Sequence, residues 1–256
     1  MSKENEAKIL LLDIETSPIL GYTWGKYEQN VLDIVQDWQI LSFSAKWLGD
    51  KKIVTKAIPD YKSANNPTDY YLAHDLARLL EEADVVVGHN CDEFDIKKIN
   101  ARLTYWKIKP PSSYKTIDTK KVAKSSFGFT SNSLTDLGQY LGLGKKVETG
   151  GFGLWKGCMA GDKKAWKKMK EYNEQDVILL EKIYLHFRPW IKNHPTLGLY
   201  SKDGRETCPK CGGKKLEKNG LRITRTRKYQ RYRCQNCGGN CQSVLSEKTK
   251  PPLVSI

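Results

Sequence analysis

Residues 7–15, Ala-Lys-Ile-Leu-Leu-Leu-Asp-Ile-Glu, carry the unbroken apolar run Ile9 to Leu12 and end in two acids, the pattern of a buried strand. Residues 39–48 and 52–58 are rich in β-branched and aromatic side chains and flank Gly49-Asp50, which predicts an antiparallel hairpin. Leu72, Leu76, Leu79 and Leu80 recur at helical spacing within 69–83. Residues 84–88 form a short apolar run suited to an interior strand. Residues 94–106 read as helix, stopped by Pro110-Pro111, and 116–118 as one more short strand. Ser133 fits an N-cap for a short helix through Leu141 that Gly142 closes. Gly150-Gly151-Phe152-Gly153 reads as a loop. Residues 163–190 read as one long helix or two abutting ones, with Trp166 and Met169 turned inward beneath a lysine-rich face. A hairpin followed by alternating helix and strand predicts the α/β class, a mixed sheet with helices on its faces.

Composition narrows the setting. The 256 residues are 39% apolar and 28% charged, enough for a packed domain with a second, smaller one. No apolar run approaches the ~20 residues that span a bilayer, and no stretch of signal-peptide length follows Met1, so membrane and secreted classes are not expected. Charge is uneven. The net charge is +14, and residues 201–256 hold 14 of the 43 basic side chains but only 4 of the 29 acidic ones. A basic block of this kind suits a polyanion, usually nucleic acid, with solubility as the plain alternative. Cys91 and Cys158 stand apart, whereas Cys208, Cys211, Cys234, Cys237 and Cys241 crowd into the basic segment. Paired C-x-x-C units without an export signal point to metal binding in a reducing compartment, the cytoplasm or that of a host.

Three short segments carry candidate chemistry. Asp13 and Glu15 are two apart on a strand, so both point to one face. Two acids at the end of an apolar strand fit a solvated edge, or a hard divalent cation held by oxygen ligands. Residues 89–95, His-Asn-Cys-Asp-Glu-Phe-Asp, follow a strand and open a helix, which places Asp95 at the strand's carboxyl end, where α/β sheets gather ligands. Helix capping by Asp92 or Asp95 would serve equally there. Tyr172 and Asp176 are four apart and share a helix face. A half-buried, hydrogen-bonded Tyr accounts for the first of these, but not for an Asp leading into Val177-Ile178-Leu179-Leu180.

Taken in order, Asp13-Ile14-Glu15-Thr16, Asn90-x3-Phe94-Asp95 and Tyr172-x3-Asp176 resemble the three exonuclease motifs of the DEDD superfamily. The tyrosine subtype, as in the proofreading domains of family B DNA polymerases, is the nearest. Ile117-Asp118-Thr119 and Leu134-x2-Leu137-Gly138 are similar to the family's surroundings. The resemblance spans about residues 7–190. It implies an RNase H-like fold, three antiparallel strands followed by parallel ones with helices on both faces. It further implies a 3′-to-5′ exonuclease with two Mg²⁺ or Mn²⁺ ions. Asp13 would bridge both, Glu15 and Asp176 would complete the site of the ion that activates water, and Asp95 would serve the second, partly through water. Tyr172 would orient the attacking water, and Asn90 and Phe94 would meet the substrate strand. His89 reads as structural, and Glu93 and Glu174 fall outside the motif positions.

Cys208-x2-Cys211 and Cys234-x2-Cys237 form C-x2-C-x22-C-x2-C, close to the four-thiolate zinc pattern, with each knuckle followed by Gly and Cys241 left spare. Residues 220–233 alternate well enough for a β-hairpin. The segment resembles the zinc ribbons appended to transposases and other nucleic-acid proteins, and one structural Zn²⁺ is expected. Arg222, Arg225, Arg227, Lys228, Arg231 and Arg233, interleaved with Tyr229 and Tyr232, offer phosphate contacts and stacking faces. A purely structural or protein-docking ribbon is the alternative. The expected divisions are an exonuclease domain over 1–200, a linker over 201–206, a zinc ribbon over 207–241 and a loose tail over 242–256. DNA is the expected substrate. The alternatives are an exoribonuclease with the same carboxylates, a binding protein on an inactive nuclease fold, and an RNase H-like endonuclease or transposase.

Overall fold

A computed structural model describes residues 7–27, 30–61, 68–145, 149–200, 206–224 and 226–246. The chain divides into two units, Lys8–Ile183 and a second that takes in Tyr184–Ile256. The larger unit is built on a five-stranded sheet. Its strands are β1 (Ile9–Thr16), β4 (Ile40–Trp47), β5 (Ile53–Ala57), β6 (Val85–Gly88) and β7 (Lys115–Asp118), with a separate two-stranded hairpin, β2 (Leu20–Tyr22) and β3 (Asp33–Gln36). The order across the sheet is β5-β4-β1-β6-β7. β1, β4 and β5 pair antiparallel, and β6 and β7 continue parallel to β1. These directions are the ones the resemblance implies.

The helices are α1 (Tyr70–Glu82), α2 (Asp95–Tyr105), α3 (Thr119–Ser126), α4 (Leu134–Tyr140), α5 (Gly153–Met159) and α6 (Lys163–Phe187). Among the described residues no helix is long and apolar enough to cross a membrane. The core takes Leu10, Leu12 and Ile14 from β1, Leu41, Phe43 and Ala45 from β4, and the leucine stripe Leu72, Leu76 and Leu80 from α1. One polar network secures this layer from within. Asp69, fully buried, accepts two bonds from Arg102 (2.6 Å each), one from Trp106 Nε1 (2.7 Å) and one from the Ile40 N–H (2.9 Å). It thereby ties the start of α1 and the end of α2 to the first residue of β4.

Several local expectations need revising. The glycine-rich stretch 150–153 is loop only to Phe152, because the chain becomes helical at Gly153 and α5 buries Leu154 and Cys158. α3 follows β7 directly, since Asp118 accepts from the Lys120 and Lys121 N–H groups and so caps a helix that composition alone does not announce. The long helix ends at Phe187. Pro189 cannot continue it, and Arg188–Trp190 form a 3-10 turn instead. Gly138 on α4 lacks a Cβ for a packing reason: one there would lie 2.6 Å from the Gly144 carbonyl and 2.9 Å from a Leu179 methyl of α6.

The second unit contains a three-stranded sheet, order β10-β9-β8, with β8 (Leu216–Ile223), β9 (Lys228–Cys234) and β10 (Asn240–Gln242). The sequence reading puts a domain boundary at 200, but helical periodicity runs unbroken past 183 and hides the spatial division. Tyr184 already bonds His194 at 2.9 Å within the second unit. The tail read from 242 begins as strand, and the Ser243 N–H bonds the Gln230 carbonyl at 2.9 Å. Arg225, most of the proposed linker and residues 247–256 lie outside the described residues.

Candidate active site and four-cysteine cluster

β1 sorts its side chains by the alternation of a strand. Leu10, Leu12 and Ile14 enter the apolar core, while Asp13 and Glu15 face the other side of the sheet. Their partners on β4 are Ser44 and Ser42, both fully buried, so hydroxyls rather than methyls flank the acids. α6 lies over this face. Asn173, itself fully buried, donates to Asp13 Oδ2 at 2.5 Å and to the Asp13 carbonyl at 3.3 Å, and accepts from the Ser42 hydroxyl at 3.2 Å. Farther along, Lys46 on β4 pairs with Glu181 on α6, both side chains largely shielded from solvent.

This packing brings Asp176 to the strand. Ligand oxygens of Asp13, Glu15 and Asp176 lie within 4.8 Å of one another, with Asp176 only 1% exposed. Asp95 is also buried, and its Oδ1 accepts from the Ile14 N–H at 3.0 Å, on the backbone between the two strand acids. It is thus seated beside the three-carboxylate group without belonging to it. Tyr172 is half-buried one helical turn before Asp176, and its ring meets Trp155 of α5 edge-on at 6.2 Å. Clustered carboxylates repel and partly protonate unless positive charge joins them. An all-oxygen donor set fits a hard divalent cation of the Mg²⁺ or Mn²⁺ kind.

The turn from β6 to α2 explains how Asp95 reaches the site. Gly88 is required because a Cβ there would come within 2.4 Å of Cys91 Cβ. Asn90 adopts φ 68°, and its N–H bonds Asp118 Oδ1 at 2.9 Å, so the carboxylate that caps α3 also clamps this turn. Asn90 therefore has a clear backbone role in the second motif. Phe94 is partly exposed beside it, with Lys98 Nζ 5.9 Å from its ring centre. His89 contacts Thr119 Oγ1 at 2.9 Å through Nδ1 and the Asn132 carbonyl at 3.0 Å through Nε2, which makes it a structural link, as read from sequence. Cys91, Asp92 and Asp118 also present ligand atoms within 4.8 Å of one another. Burial, reinforced by Asp118, Asp95 and Asp92, pushes the Cys91 thiol far up, and Asp118 is engaged by main-chain N–H groups, so this trio serves the fold. Glu93 pairs with Lys97 and Lys121 at the surface.

In the second unit the sulfur atoms of Cys208, Cys211, Cys234 and Cys237 lie within 4.8 Å of one another. Two cross-knuckle separations are 3.7 Å (Cys208–Cys237) and 3.6 Å (Cys211–Cys234). Tetrahedral zinc with Zn–S bonds of about 2.3 Å needs sulfurs about 3.8 Å apart, so the donor set fits that ion. Both knuckles are built alike. The Gly212 and Gly238 N–H groups bond the Cys208 and Cys234 carbonyls at 2.8 and 2.9 Å, with φ of 70° and 75° that favour glycine. Burial raises the thiols of Cys208, to about 11, and Cys211. Burial also acts upward on Cys234, but the Cys237 and Asn236 N–H groups, together with hydrogen bonds from the Cys211 and Cys208 thiols, act against it and the net shift is down. Cys241 sits in β10 opposite Tyr232, outside the four-sulfur group.

Of the expected nucleic-acid contacts, Arg222, Arg227, Lys228, Arg231 and Arg233 are exposed on the ribbon, while Tyr229 and Tyr232 are half-buried. Sequence reasoning missed Asn173, Ser42 and Trp155. Asn173 was visible as a polar residue on the buried side of α6 between Tyr172 and Asp176. Ser42 and Trp155 become recognisable only through β4 register and the existence of α5.

The RNase H superfamily pattern matches residues 10–188, and the chain belongs to that superfamily. Among solved structures, the family B DNA polymerase from the hyperthermophilic archaeon Pyrobaculum calidifontis shares the fold at 14% identity, with a TM-score of 0.51 over 71% of this chain. That overlap covers 25% of the polymerase. No curated protein matches the chain in sequence.

Proposed function

We propose that the chain is a metal-dependent 3′-to-5′ exonuclease that hydrolyses phosphodiester bonds of DNA, preferring single-stranded ends, with a zinc ribbon that recruits the nucleic acid. The observation that carries this is the meeting of Asp13, Glu15 and Asp176 within 4.8 Å, with Asp95 held on the Ile14 N–H beside them. Residues far apart in sequence thus converge on one acidic locus on a superfamily fold. A pair of divalent ions, when bound, stabilises charge on the entering and leaving oxygens and favours ionisation of water. In this reading Asp13, Glu15, Asp176 and Asp95 would hold the ions, and the Tyr172 hydroxyl would orient the attacking water. Asn173 keeps the Asp13 carboxylate in one orientation, and Trp155 limits the tilt of the Tyr172 ring. Polarity and exonucleolytic action rest on the resemblance of the three motifs.

The four thiols imply one structural zinc and a reducing compartment such as the cytoplasm. The carboxylates do not distinguish a 2′-hydroxyl, so sugar preference is a separate matter. One time course with 5′-labelled DNA and RNA, single- and double-stranded, tests both. The reading expects a ladder that shortens from the 3′ end and runs fastest on single-stranded DNA. Internal cuts from the first time point would replace it with an endonuclease.

A further inference from the structure

The second unit contains an open groove of about 900 Å³ that neither metal group explains. Ligand pockets commonly occupy about 300–1,000 Å³, so it lies near the top of that range, and being open rather than enclosed it can also admit a chain passing through. One wall is the 3-10 turn Arg188–Trp190 and the residues after it, and the other is the ribbon sheet. Trp190 is 59% exposed at the groove, and Lys192 follows it. Across from them are Arg222, Arg231 and Gln242. β9–β10 register sets Arg231 directly opposite Gln242, and Arg222 Nη1 donates to Gln242 Oε1 at 2.8 Å, which gathers two guanidinium groups on one face. Glu206 is the acid among the lining residues.

The walls are fixed to each other. Lys210, between the first two cysteines and only 8% exposed, donates to the Pro189 carbonyl, and the Leu197 N–H bonds the Pro209 carbonyl at 2.8 Å. The turn that carries Trp190 is thereby pinned to the first knuckle. His194 also lines the groove, but its ring nitrogens are engaged by the Pro195 carbonyl and the Tyr184 hydroxyl. The groove's positive charge therefore comes from Lys and Arg, against the one carboxylate of Glu206 among the described lining residues.

We propose that this groove binds single-stranded nucleic acid, with a base stacked on Trp190 and adjoining phosphates held by Lys192, Arg222 and Arg231. The proposal rests on the reading that the ribbon recruits nucleic acid, and adds the location, the strandedness and a wall from outside the ribbon. Stacking needs an unpaired base with an open face, which a duplex does not offer along its length, while guanidinium groups supply backbone contacts without sequence preference.

The test uses the full chain carrying Asp13→Ala, to suppress digestion, and a fluorescein-labelled oligothymidylate in an anisotropy titration. Trp190→Ala and Arg231→Glu are compared with the outer-hairpin pair Arg227→Glu/Lys228→Glu, and zinc content confirms that each ribbon is folded. Trp190→Ala and Arg231→Glu should each weaken binding about tenfold or more, with a smaller loss for the outer pair and recovery in Trp190→Phe. Loss confined to the outer pair overturns the groove but leaves recruitment by the ribbon standing. If none of the variants alters affinity, recruitment by the ribbon fails with it. Equal displacement by polyglutamate at matched charge also overturns the proposal, since it shows a general polyanion surface.

Discussion

Asn173 donates its side-chain amide to Asp13 Oδ2 at 2.5 Å while accepting the Ser42 hydroxyl at 3.2 Å, which fixes which end of the amide faces the acid. A charge-assisted bond from a fully buried donor restricts an acid that must present its oxygens in one direction. Partners of this kind around ligating carboxylates typically contribute about 10–100-fold to metal affinity or activity. Asn173→Ala should lower turnover by about that factor and raise the Mg²⁺ concentration for half-maximal rate. Retention of wild-type metal dependence would reduce Asn173 to a packing residue.

Tyr172 stands one turn from Asp176, with Trp155 against its ring. Removing the hydroxyl leaves the ring contact intact, so Tyr172→Phe should slow single-turnover hydrolysis by about 100-fold with unchanged metal binding. Trp155→Ala should give a smaller loss through looser positioning. Equal rates for Tyr172→Phe and wild type would exclude the hydroxyl from the reaction.

Asp69 is a matter of stability. It is fully buried and receives Arg102, Trp106 and a main-chain N–H, so its loss strands a largely buried guanidinium. Asp69→Ala should destabilise the larger unit by about 3–5 kcal/mol, read from urea unfolding. A change below about 1 kcal/mol would mean that water replaces the carboxylate without cost.

His194 supplies a pH signature for the second unit. Burial lowers its pKa below the ordinary imidazole value, and nearby Arg188 and Lys210 act in the same direction against the Pro195 carbonyl. The unfolded chain therefore takes up the proton more readily. Its contribution is complete above about pH 6.5 and is lost as pH falls below that toward the folded value. Melting the wild type and His194→Gln from pH 7.5 to 5.5 should show the steeper decline in the wild type. Parallel curves would remove His194 from the acid response.

Much of this architecture is legible in the sequence because it obeys simple periods. The apolar run that ends in Asp13 and Glu15, the leucine stripe of α1 and the Ser133 cap each follow from local pattern, and the motif acids fall on the elements that carry them. What the sequence conceals is set by tertiary contact. α5 hides behind glycines that weaken its helical signal. α3 depends on one carboxylate, Asp118, that serves two elements at once. Asn173 stands out as a polar residue on the buried side of α6, but its partner Ser42 is hidden until β4 register brings it beneath. The division at Ile183 falls inside a continuous helix, where composition gives no mark.

The most direct test follows hydrolysis of end-labelled single-stranded DNA as Mg²⁺ or Mn²⁺ is titrated, with wild type and Asp13→Ala in parallel and folding verified by circular dichroism. The wild type should be inactive in chelator and gain activity with added metal, whereas Asp13→Ala should remain inactive at every concentration while folded. Hydrolysis in chelator, or equal rates for the two proteins, would contradict the claim that these acids act through bound cations.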